Sequence, residues 1–439
     1  MKFFDREREI ELLREYRERS SRTAQFSVIT GRRRVGKTEL IRKAYEGDGY
    51  VYLFVERKNE RDLCENFQSA IESALIVPIY GTMTTVQQVL EFLFTYAESN
   101  QLTLIIDEFQ ELLKVNKSIY STLQKLWDIH KNKMKINLIV SGSVNTLMHK
   151  IFLSKKASLY GRQTAFLRID PFKIEVLKQI LAEYSPGYTN EDLLALWTFT
   201  GGVAKYVEIF MDHGATTKDD MLSLILREDS FFLDEGKAVL AEEFDKEYGT
   251  YFSILSAISR GRNTRSEIEQ AIGRHAGGYL TRLESDYSII KRKQPLFAKQ
   301  ASKNSRYMID DRFLLFWFRF IYRFGFLVEI RAFDQLQDFV KRDYNVFSGF
   351  ALERYFQCKF AESGTWTMIG NWWDRKGENE IDLIAEDELS GRIVIGEVKR
   401  EKERVDLKTL RLKFDTFVKA SGKYKRIKPN FIGLSMEDM

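Results

Sequence analysis

The sequence is poor in the residues that build disulfide frameworks and zinc sites. Its 439 residues include two cysteines, Cys64 and Cys358, and four scattered histidines. Two thiols are too few for a disulfide framework, and together with the few scattered histidines they argue against a zinc site. We therefore expect a cytoplasmic protein.

Long apolar runs and flexible linkers are also lacking. No run reaches the ~18 apolar residues that cross a bilayer, and the N-terminal stretch MKFFDREREIELL is charged from its fifth residue on. Neither a membrane partner nor a signal peptide is therefore expected. The chain has five prolines and no long Pro-, Gly- or Ser-rich segment, so its domains should be joined by short connections.

What the chain has in abundance is charge of both signs. Charged residues make up 30% of the sequence and nearly cancel to a formal net charge of +5. This mild basic bias is compatible with binding to nucleic acid, but a well-solvated surface explains it equally well. The length predicts about two to three domains.

The strongest motif is GRRRVGKT at Gly31–Thr38, which follows the apolar run Phe26–Thr30 and precedes a helix-forming stretch. It fits the phosphate-binding loop pattern, in which backbone N–H groups surround phosphates, the lysine reaches the outer phosphates and the threonine hydroxyl binds Mg²⁺. A glycine turn that matches by chance is the alternative, against which the flanks argue. The motif predicts a site for ATP and Mg²⁺ formed by Gly31, Arg32, Arg33, Arg34, Val35, Gly36, Lys37 and Thr38.

A second apolar run, LTLIIDEFQ at Leu102–Gln110, ends in two carboxylates. A buried strand would deliver Asp107 and Glu108 at its C-terminal end, where ligands of open α/β sheets bind. Asp107 is predicted to hold the Mg²⁺ shell with Thr38, and Glu108 to polarise the attacking water.

Three further residues are candidates for contact with the γ-phosphate or with the charge that develops on it. The run Ile136–Ser141 ends in Ser141-Gly142-Ser143, so either hydroxyl could sense the γ-phosphate, although a simple turn explains these residues as well. Arg162 could offset transition-state charge, from its own chain or from a neighbouring subunit. An ordinary surface arginine is the alternative.

Several segments together resemble the archaeal-type ATPase family, a branch of P-loop ATPases related to AAA+ and signal-transducing NTPases. They are FFDREREIELL, GRRRVGKT, LIIDEF, LIVSGS, LYGR and TGGVAKY. The resemblance implies a parallel five-stranded sheet, in which the strand ending in Ser141 lies between the loop strand and the Asp107 strand, and a helical lid near Gly201 and Gly202. Family members usually carry proline at the position of Ala204.

The stretch Tyr251–Asp310 predicts three short helices followed by a β-ribbon, which is the winged-helix pattern. Its candidates for contact with DNA are Arg282, Lys291, Arg292 and Lys293. Packing against protein is the alternative role of such a module. The aromatic run Phe313–Phe326 is too short to span a membrane, and it is predicted to be a buried or interface helix suited to domain docking or to a homo-oligomer.

The last hundred residues hold Glu353 on a predicted helix, Asp382 on a strand, and the strand end Glu397-Val398-Lys399. This order resembles the PD-(D/E)xK nuclease superfamily. Glu397 and Lys399 share one strand face, so the carboxylate can bind Mg²⁺ while the ammonium orients water, and Asp382 completes the metal site. The basic stretch Lys402–Lys428, with Phe414, Phe417 and Tyr424, could follow a phosphate backbone, or could be a solvated helix face.

The predicted fold class is α/β, with a P-loop NTPase first, a helical lid and winged helix next, and a small α/β nuclease-like domain last. The predicted domains are residues 1–172 (ATPase), 173–246 (lid), 247–311 (winged helix), 312–345 (connecting aromatic helices) and 346–439 (nuclease-like). We expect a Mg²⁺-dependent ATPase whose nucleotide state controls a C-terminal domain acting on nucleic acid. The alternatives are a non-nucleolytic ATP-dependent switch and a scaffold with slow turnover.

Overall fold

The computed structural model describes residues 1–143, 145–244, 248–298, 304–425 and 427–439. These residues form two compact units, of which one comprises residues 3–171 and the other residues 1–2 and 172–439. The first unit thus ends one residue before the end predicted for the ATPase domain.

The first unit is built on a five-stranded parallel sheet with the strand order β2-β3-β4-β1-β5. The strands are β1 (Gln25–Thr30), β2 (Val51–Phe54), β3 (Leu102–Asp107), β4 (Ile136–Gly142) and β5 (Ala165–Arg168). Strand β4, which carries Ser141, lies between β1 and β3, so the sheet that the resemblance implies is confirmed.

Helices cover both faces of this sheet, as a parallel sheet requires. They are α1 (Glu7–Arg19), α2 (Lys37–Ala44), α3 (Glu60–Leu75), α4 (Val86–Ser99), α5 (Leu112–Val115), α6 (Ile119–His130) and α7 (Asn145–Phe152). Because side chains alternate along a strand, Val28 of β1 packs in the core formed with α3, α4 and α6. Its neighbour Ile29 packs in the core formed with α1 and α2.

The start of α1 has no side-chain cap, although Asp5 stands just before it and aspartate is among the residues favoured at helix N-caps. The helix begins at Glu7, and its N-cap is Arg6, which has a left-handed backbone and makes no side-chain cap bond. Asp5 is itself left-handed, with φ 60°. The Arg6 guanidinium donates to the carbonyl of Asp170, so this turn is held by a contact that local sequence does not show.

The second unit opens with five helices: α8 (Ile174–Tyr184), α9 (Asn190–Thr200), α10 (Ala204–Asp212), α11 (Lys218–Ile225) and α12 (Phe231–Phe244). Helix α9 ends at Gly201, with φ 59°. A Cβ on Gly202 would lie 2.3 Å from the carbonyl oxygen of Phe172. The glycine pair is therefore required by this turn, whatever other role it has.

Three helices and an antiparallel ribbon follow, where the sequence predicts them. They are α13 (Tyr248–Ser259), α14 (Arg265–Ile272), α15 (Gly277–Ser285), β6 (Ile290–Lys293) and β7 (Arg306–Ile309). Thr264 and Glu267, in the Thr-x-x-Glu spacing typical of a capping box, form one at the start of α14. The predicted domain boundary between 246 and 247 lies outside the described residues.

The aromatic run Phe313–Phe326 is mostly buried inside the second unit. It forms α16 (Arg312–Phe316), a π-helical turn (Trp317–Tyr322) and the start of α17 (Gly325–Glu329). The Trp317 Nε1–H donates to the carbonyl of Leu233 at 2.8 Å, and the run packs against rings that include Phe199 and Phe252 in tilted and edge-to-face contacts. The prediction of a buried helix is therefore confirmed for most of this run, whose rings fill the core of their own unit, whereas a homo-oligomer stays a prediction.

The chain ends in a mixed sheet flanked by two helices: α18 (Phe333–Glu362), β8 (Met368–Trp373), β9 (Glu380–Asp387), β10 (Arg392–Val398), α19 (Leu407–Ser421) and β11 (Asn430–Leu434). The strand order is β11-β10-β9-β8, and β10 and β11 are parallel while the other pairs are antiparallel.

Two expectations about this region need correction. The predicted boundary at 345/346 falls inside the continuous helix α18. Phe414 and Phe417, expected along a phosphate backbone, are buried in the core beneath α19, and the Tyr424 hydroxyl donates to Glu386. These rings are therefore not available to stack on nucleic acid.

Candidate functional site

The phosphate-binding loop connects the end of β1 to the start of α2, and its glycines are sterically required. A Cβ on Gly31 would lie 2.5 Å from the carbonyl oxygen of Ile169. Gly36 has φ 94° and Arg34 has φ 70°, both in the left-handed region that glycine adopts most easily. This conformation wraps the backbone around the N-terminus of α2, where an anion is stabilised by free N–H groups and the helix dipole.

Lys37 lies inside this loop. Its Nζ donates to the carbonyl oxygens of Gly31 at 2.9 Å and Arg32 at 3.2 Å. Burial lowers the pKa of the Lys37 ammonium, although Glu108 and Asp107 act in the opposite direction. A buried ammonium that donates to two backbone carbonyls fits an anionic phosphate, which would supply a negative charge in direct contact.

Asp107 is the centre of a hydrogen-bond network at the end of β3. Its Oδ2 accepts from the hydroxyls of Thr38 at 3.0 Å and Tyr52 at 2.7 Å, while its Oδ1 accepts from Ser141 and from the backbone N–H of Glu108. A threonine hydroxyl beside a carboxylate oxygen fits the oxygen ligands that Mg²⁺ prefers, with water and phosphate completing the shell. Tyr52 was not singled out from the sequence, where it is one aromatic among several in β2.

Glu108 is held next to this network by two side chains that sequence patterns do not reveal as its partners. Its Oε2 accepts from the Ser143 hydroxyl at 2.8 Å and from the Gln110 amide, and its backbone is left-handed, with φ 53°. Ser141 and Ser143 therefore contact the two carboxylates in this structure. That either hydroxyl senses the γ-phosphate stays a prediction.

Arg162 lies near the N-terminal ends of the parallel strands, whereas the phosphate-binding loop lies at their C-terminal ends. It precedes β5, whose first residue Ala165 pairs with Ser27 near the start of β1, and the four residues from Ser27 to Gly31 span about 13 Å of strand. The Arg162 guanidinium is bound to Asp128 of α6 at 2.7 Å. A role for Arg162 on a nucleotide bound to its own chain is therefore wrong, whereas a role on a neighbouring subunit stays a prediction.

In the second unit, β9 and β10 bring together Asp382, Glu397 and Lys399. The Asp382 Oδ2 accepts from the backbone N–H of Val398 at 2.9 Å. The Lys399 Nζ lies 3.6 Å from Asp382 Oδ2 and 3.8 Å from Glu397 Oε1. One ammonium thus sits between the two carboxylates that would share a metal ion.

Glu397 has further partners that the sequence did not indicate. Its Oε1 lies 3.2 Å from the Lys413 ammonium, and its Oε2 accepts from the backbone N–H of Asp406 at 2.8 Å. Among the described residues, no group of three or more His, Cys, Asp and Glu side chains is placed to hold a metal ion. A metal at this site would therefore be held by Asp382 and Glu397 with water, in place of the lysine contacts.

Glu353 projects from α18 toward the same cluster. Burial raises the pKa of its carboxyl well above the usual value, and the charges of Asp382 and Glu380 raise it further, while Lys399 and Lys293 act in the opposite direction. Burial also raises the pKa of Asp382. Carboxyl groups with raised pKa values in one place are typical of sites that bind cations or move protons.

The four cations predicted to contact DNA are not equivalent. Arg282, Lys291 and Arg292 are exposed, and Lys291 pairs with Asp310 at 2.8 Å. Lys293 is directed inward, where its Nζ donates to the Gln357 Oε1 at 3.2 Å. The prediction that Lys293 contacts DNA is therefore wrong, because its ammonium binds a side chain of α18 and does not face solvent.

None of the helices in the described ranges has the length and apolar character of a membrane span.

Comparisons with known proteins match two separate parts of this chain to families. Residues 3–210 match a family described as an ATPase domain predominantly from Archaea. Residues 317–410 match a family of archaeal and bacterial proteins of unknown function. An uncharacterised protein of Methanocaldococcus jannaschii is 34% identical over 412 residues, which are 90% of this chain and 87% of the relative.

Solved structures resemble the fold at low sequence identity. A Walker-type ATPase of Pyrococcus abyssi has a TM-score of 0.54 at 20% identity, over 72% of this chain and 96% of that one. The ORC2 protein of Aeropyrum pernix, solved in complexes with ADPNP and ADP, has a TM-score of 0.47 at 16% identity, over 74% of this chain and 94% of that one. The first of these likenesses supports the fold of the chain.

Proposed function

This chain belongs to the archaeal-type ATPase family, and we propose that it binds ATP with Mg²⁺, hydrolyses the ATP, and uses its nucleotide state to control cleavage of nucleic acid by the Asp382 site. In this proposal Lys37 binds the outer phosphates, Thr38 and Asp107 hold the metal, and Glu108 activates the attacking water. When bound, Mg²⁺ would neutralise charge that develops on the phosphates.

The proposal for the first unit rests on the contact between Thr38 and Asp107. A hydroxyl from the loop and a carboxylate from β3 already share a hydrogen bond of 3.0 Å, so little rearrangement brings both onto one cation. Tyr52 and Ser141 keep the Asp107 carboxylate oriented. Ser143 and Gln110 orient Glu108 in the same way.

For the second unit, the supporting observation is that Asp382 and Glu397 face one ammonium, at 3.6 and 3.8 Å. Their chain order with Glu353 and Lys399 is the one implied by the resemblance to PD-(D/E)xK nucleases. A metal between the carboxylates would supply a nucleophilic water, which Lys399 would orient. The winged-helix pattern of α13 to β7, with exposed Arg282, Lys291 and Arg292, would contribute to binding DNA.

A non-nucleolytic switch is the second candidate, and the contacts of Glu397 favour it. Both carboxylate oxygens of Glu397 already have partners, namely Lys413, Lys399 and the backbone of Asp406. A module whose carboxylate is satisfied in this way could recognise nucleic acid without cutting it. In that case, the nucleotide state of the first unit would change only how tightly the second unit binds nucleic acid.

Cleavage assays with matched variants separate the two candidates. Labelled single-stranded, duplex and branched DNA and RNA are incubated with Mg²⁺ or Mn²⁺ and ATP, comparing wild type with Asp382→Asn and Asp387→Asn. Asp387 is the control, because it is a buried aspartate at the other end of β9, bound to Arg392 at 3.0 Å. Cutting that is lost only in Asp382→Asn supports the nuclease. If nothing is cut while ATP is hydrolysed, the switch is supported.

A further inference from the structure

A pocket of about 330 Å³ opens beside the Asp382 cluster, between α18 and the end of β10. Its walls include Val346, Phe350, Glu353, Lys399 and Arg404. The volume is at the lower end of the range of about 300–1,000 Å³ found for ligand sites. Because Glu353 and Lys399 belong both to this pocket and to the carboxylate cluster, a ligand in the pocket would lie next to the site proposed for cleavage.

Two large apolar side chains line this pocket from α18 without being covered. Val346 and Phe350 are each 64% exposed, and their spacing of four residues puts them on one face of the helix, with Glu353 one turn further on. By contrast, Tyr344, Tyr355 and Phe356 of the same helix are buried. An exposed aromatic ring beside a candidate site is a surface suited to stacking.

The charges around this ring select among possible occupants. Arg404 is 71% exposed, and it lies 2.6 Å from Glu401. Lys399 is 37% exposed and reaches both Asp382 and Glu397. Cations next to an exposed aromatic ring are the combination that binds single-stranded nucleic acid, in which cations follow the backbone and rings stack on bases. Among the side chains that line the pocket, the cations Lys399, Arg400 and Arg404 outnumber the carboxylates Glu353 and Glu401, which favours an anionic partner over a purely apolar one.

We infer that this pocket binds an unpaired base of single-stranded nucleic acid, with Phe350 stacking on the base and Lys399 and Arg404 facing its phosphates. A duplex cannot offer this contact, because the faces of its bases are already stacked on one another. The inference deepens the proposed function, on which its relevance to cleavage rests. It assigns single strands, overhangs or flaps as the class of substrate.

Binding in the absence of metal tests the pocket independently of cleavage. The full chain in EDTA is titrated into a single-stranded oligonucleotide that contains 2-aminopurine, whose fluorescence falls when it stacks, and into a blunt-ended duplex that contains the same strand. Wild type is compared with Phe350→Ala, Phe350→Trp and Gly349→Leu. Gly349 has open space around its Cβ position, so a leucine there would fill the pocket without removing the ring. Phe326→Ala is the control, since Phe326 is 57% exposed in the same unit.

Stacking of one base contributes enough that its loss should weaken single-strand binding by roughly 5-fold to 150-fold. We expect this loss, and loss of quenching, in Phe350→Ala and Gly349→Leu, with retention in Phe350→Trp and Phe326→Ala. Equal affinity of wild type and Phe350→Ala for the single strand would overturn the inference. A change of oligomeric state in Phe350→Ala, seen by light scattering, would also overturn it, because the ring would then cover a second copy of the chain.

The outcomes distinguish this inference from the proposed function. If cleavage occurs and depends on Asp382, but Phe350→Ala binds the single strand as tightly as wild type, the nuclease stands and the base pocket is wrong. If no nucleic acid is cut, but the 2-aminopurine fluorescence of the single strand falls on binding to wild type and not to Phe350→Ala, the base pocket stands and the nuclease is wrong.

Discussion

Removing the Lys293 amine should stabilise the protein at neutral pH. Burial, reinforced by the nearby charges of Arg354 and Lys291 and opposed by Asp310 and Cys358, lowers the pKa of Lys293 from 10.5 to about 8. At about 1.4 kcal/mol per pH unit, keeping this lysine charged costs about 3 kcal/mol. Lys293→Met also loses the hydrogen bond to Gln357, worth about 1 kcal/mol. The expected net gain at pH 7 is therefore about 2 kcal/mol.

The stability difference between Lys293→Met and wild type should depend on pH in a defined direction. Between pH 8 and pH 10.5 the unfolded chain binds more protons at this residue than the folded chain, so the stability of the wild type rises with pH in that window. The advantage of Lys293→Met should shrink across the same window and reverse slightly near pH 10.5. Lys291→Met is the control, because Lys291 is exposed and its ion pair with Asp310 contributes about 0–1 kcal/mol.

Urea unfolding followed by tryptophan fluorescence measures this difference. Five of the six tryptophans, Trp197, Trp317, Trp366, Trp372 and Trp373, lie in the unit that contains Lys293, so the signal reports mainly on that unit. A variant less stable than wild type at pH 7, or a difference that does not change between pH 7 and pH 10, would refute the reasoning.

Three further predictions concern single side chains. Tyr52→Phe removes a hydrogen bond of 2.7 Å from Asp107, and should raise the Mg²⁺ concentration for half-maximal ATP hydrolysis roughly 10-fold or more; an unchanged Mg²⁺ titration would show that Tyr52 does not position the carboxylate. Arg162→Ala should leave ATP hydrolysis by dilute monomer within about 2-fold of wild type, whereas loss of an arginine finger costs about 10³-fold or more. Glu353→Gln should raise the melting temperature at pH 8 and less so at pH 5, because the raised pKa of this carboxyl makes its ionisation unfavourable in the folded chain; an equal effect at both pH values would contradict this.

The parts of the fold that sequence reasoning predicted are those with strong local patterns. The loop Gly31–Thr38 and the apolar run ending in Asp107 predict which residues lie at the C-terminal ends of β1 and β3. This prediction is possible because a phosphate-binding loop works only between a strand and a helix. The capping box of Thr264 and Glu267 likewise marks the start of α14. Each of these features is defined by residues that are close together in the sequence, so it can be recognised without knowledge of the fold.

Contacts between distant residues account for most of the errors. The spacing of Phe414 and Phe417 among lysines is compatible with an exposed or a buried helix face, and only the sheet beneath α19 decides that they are buried. Arg162 lies close in sequence to a conspicuous motif, yet the direction of β5 carries it to the far edge of the sheet. Lys293 resembles a solvent-facing ribbon lysine until Gln357 of α18 is placed beside it.

The same reason explains which candidate residues were missed. Tyr52, Ser143 and Gln110 act through bonds to Asp107 or Glu108, and Lys413 acts through Glu397. Alternation along β2 could have placed Tyr52 on the same sheet face as Ile105, its partner on β3. Nothing in the local sequence distinguishes Lys413 or Phe350 from other residues on exposed helix faces.

The most direct test of the account is whether nucleotide bound by the first unit changes cleavage by the second. The rate of cutting of a labelled single strand is measured with Mg²⁺ in the presence of ATP, of a non-hydrolysable ATP analogue, and of no nucleotide, for wild type and Lys37→Ala. We predict a rate that depends on nucleotide by several-fold in wild type, and cutting without that dependence in Lys37→Ala. Identical rates in all three conditions, or the same nucleotide dependence in Lys37→Ala, would contradict control of the Asp382 site by ATP.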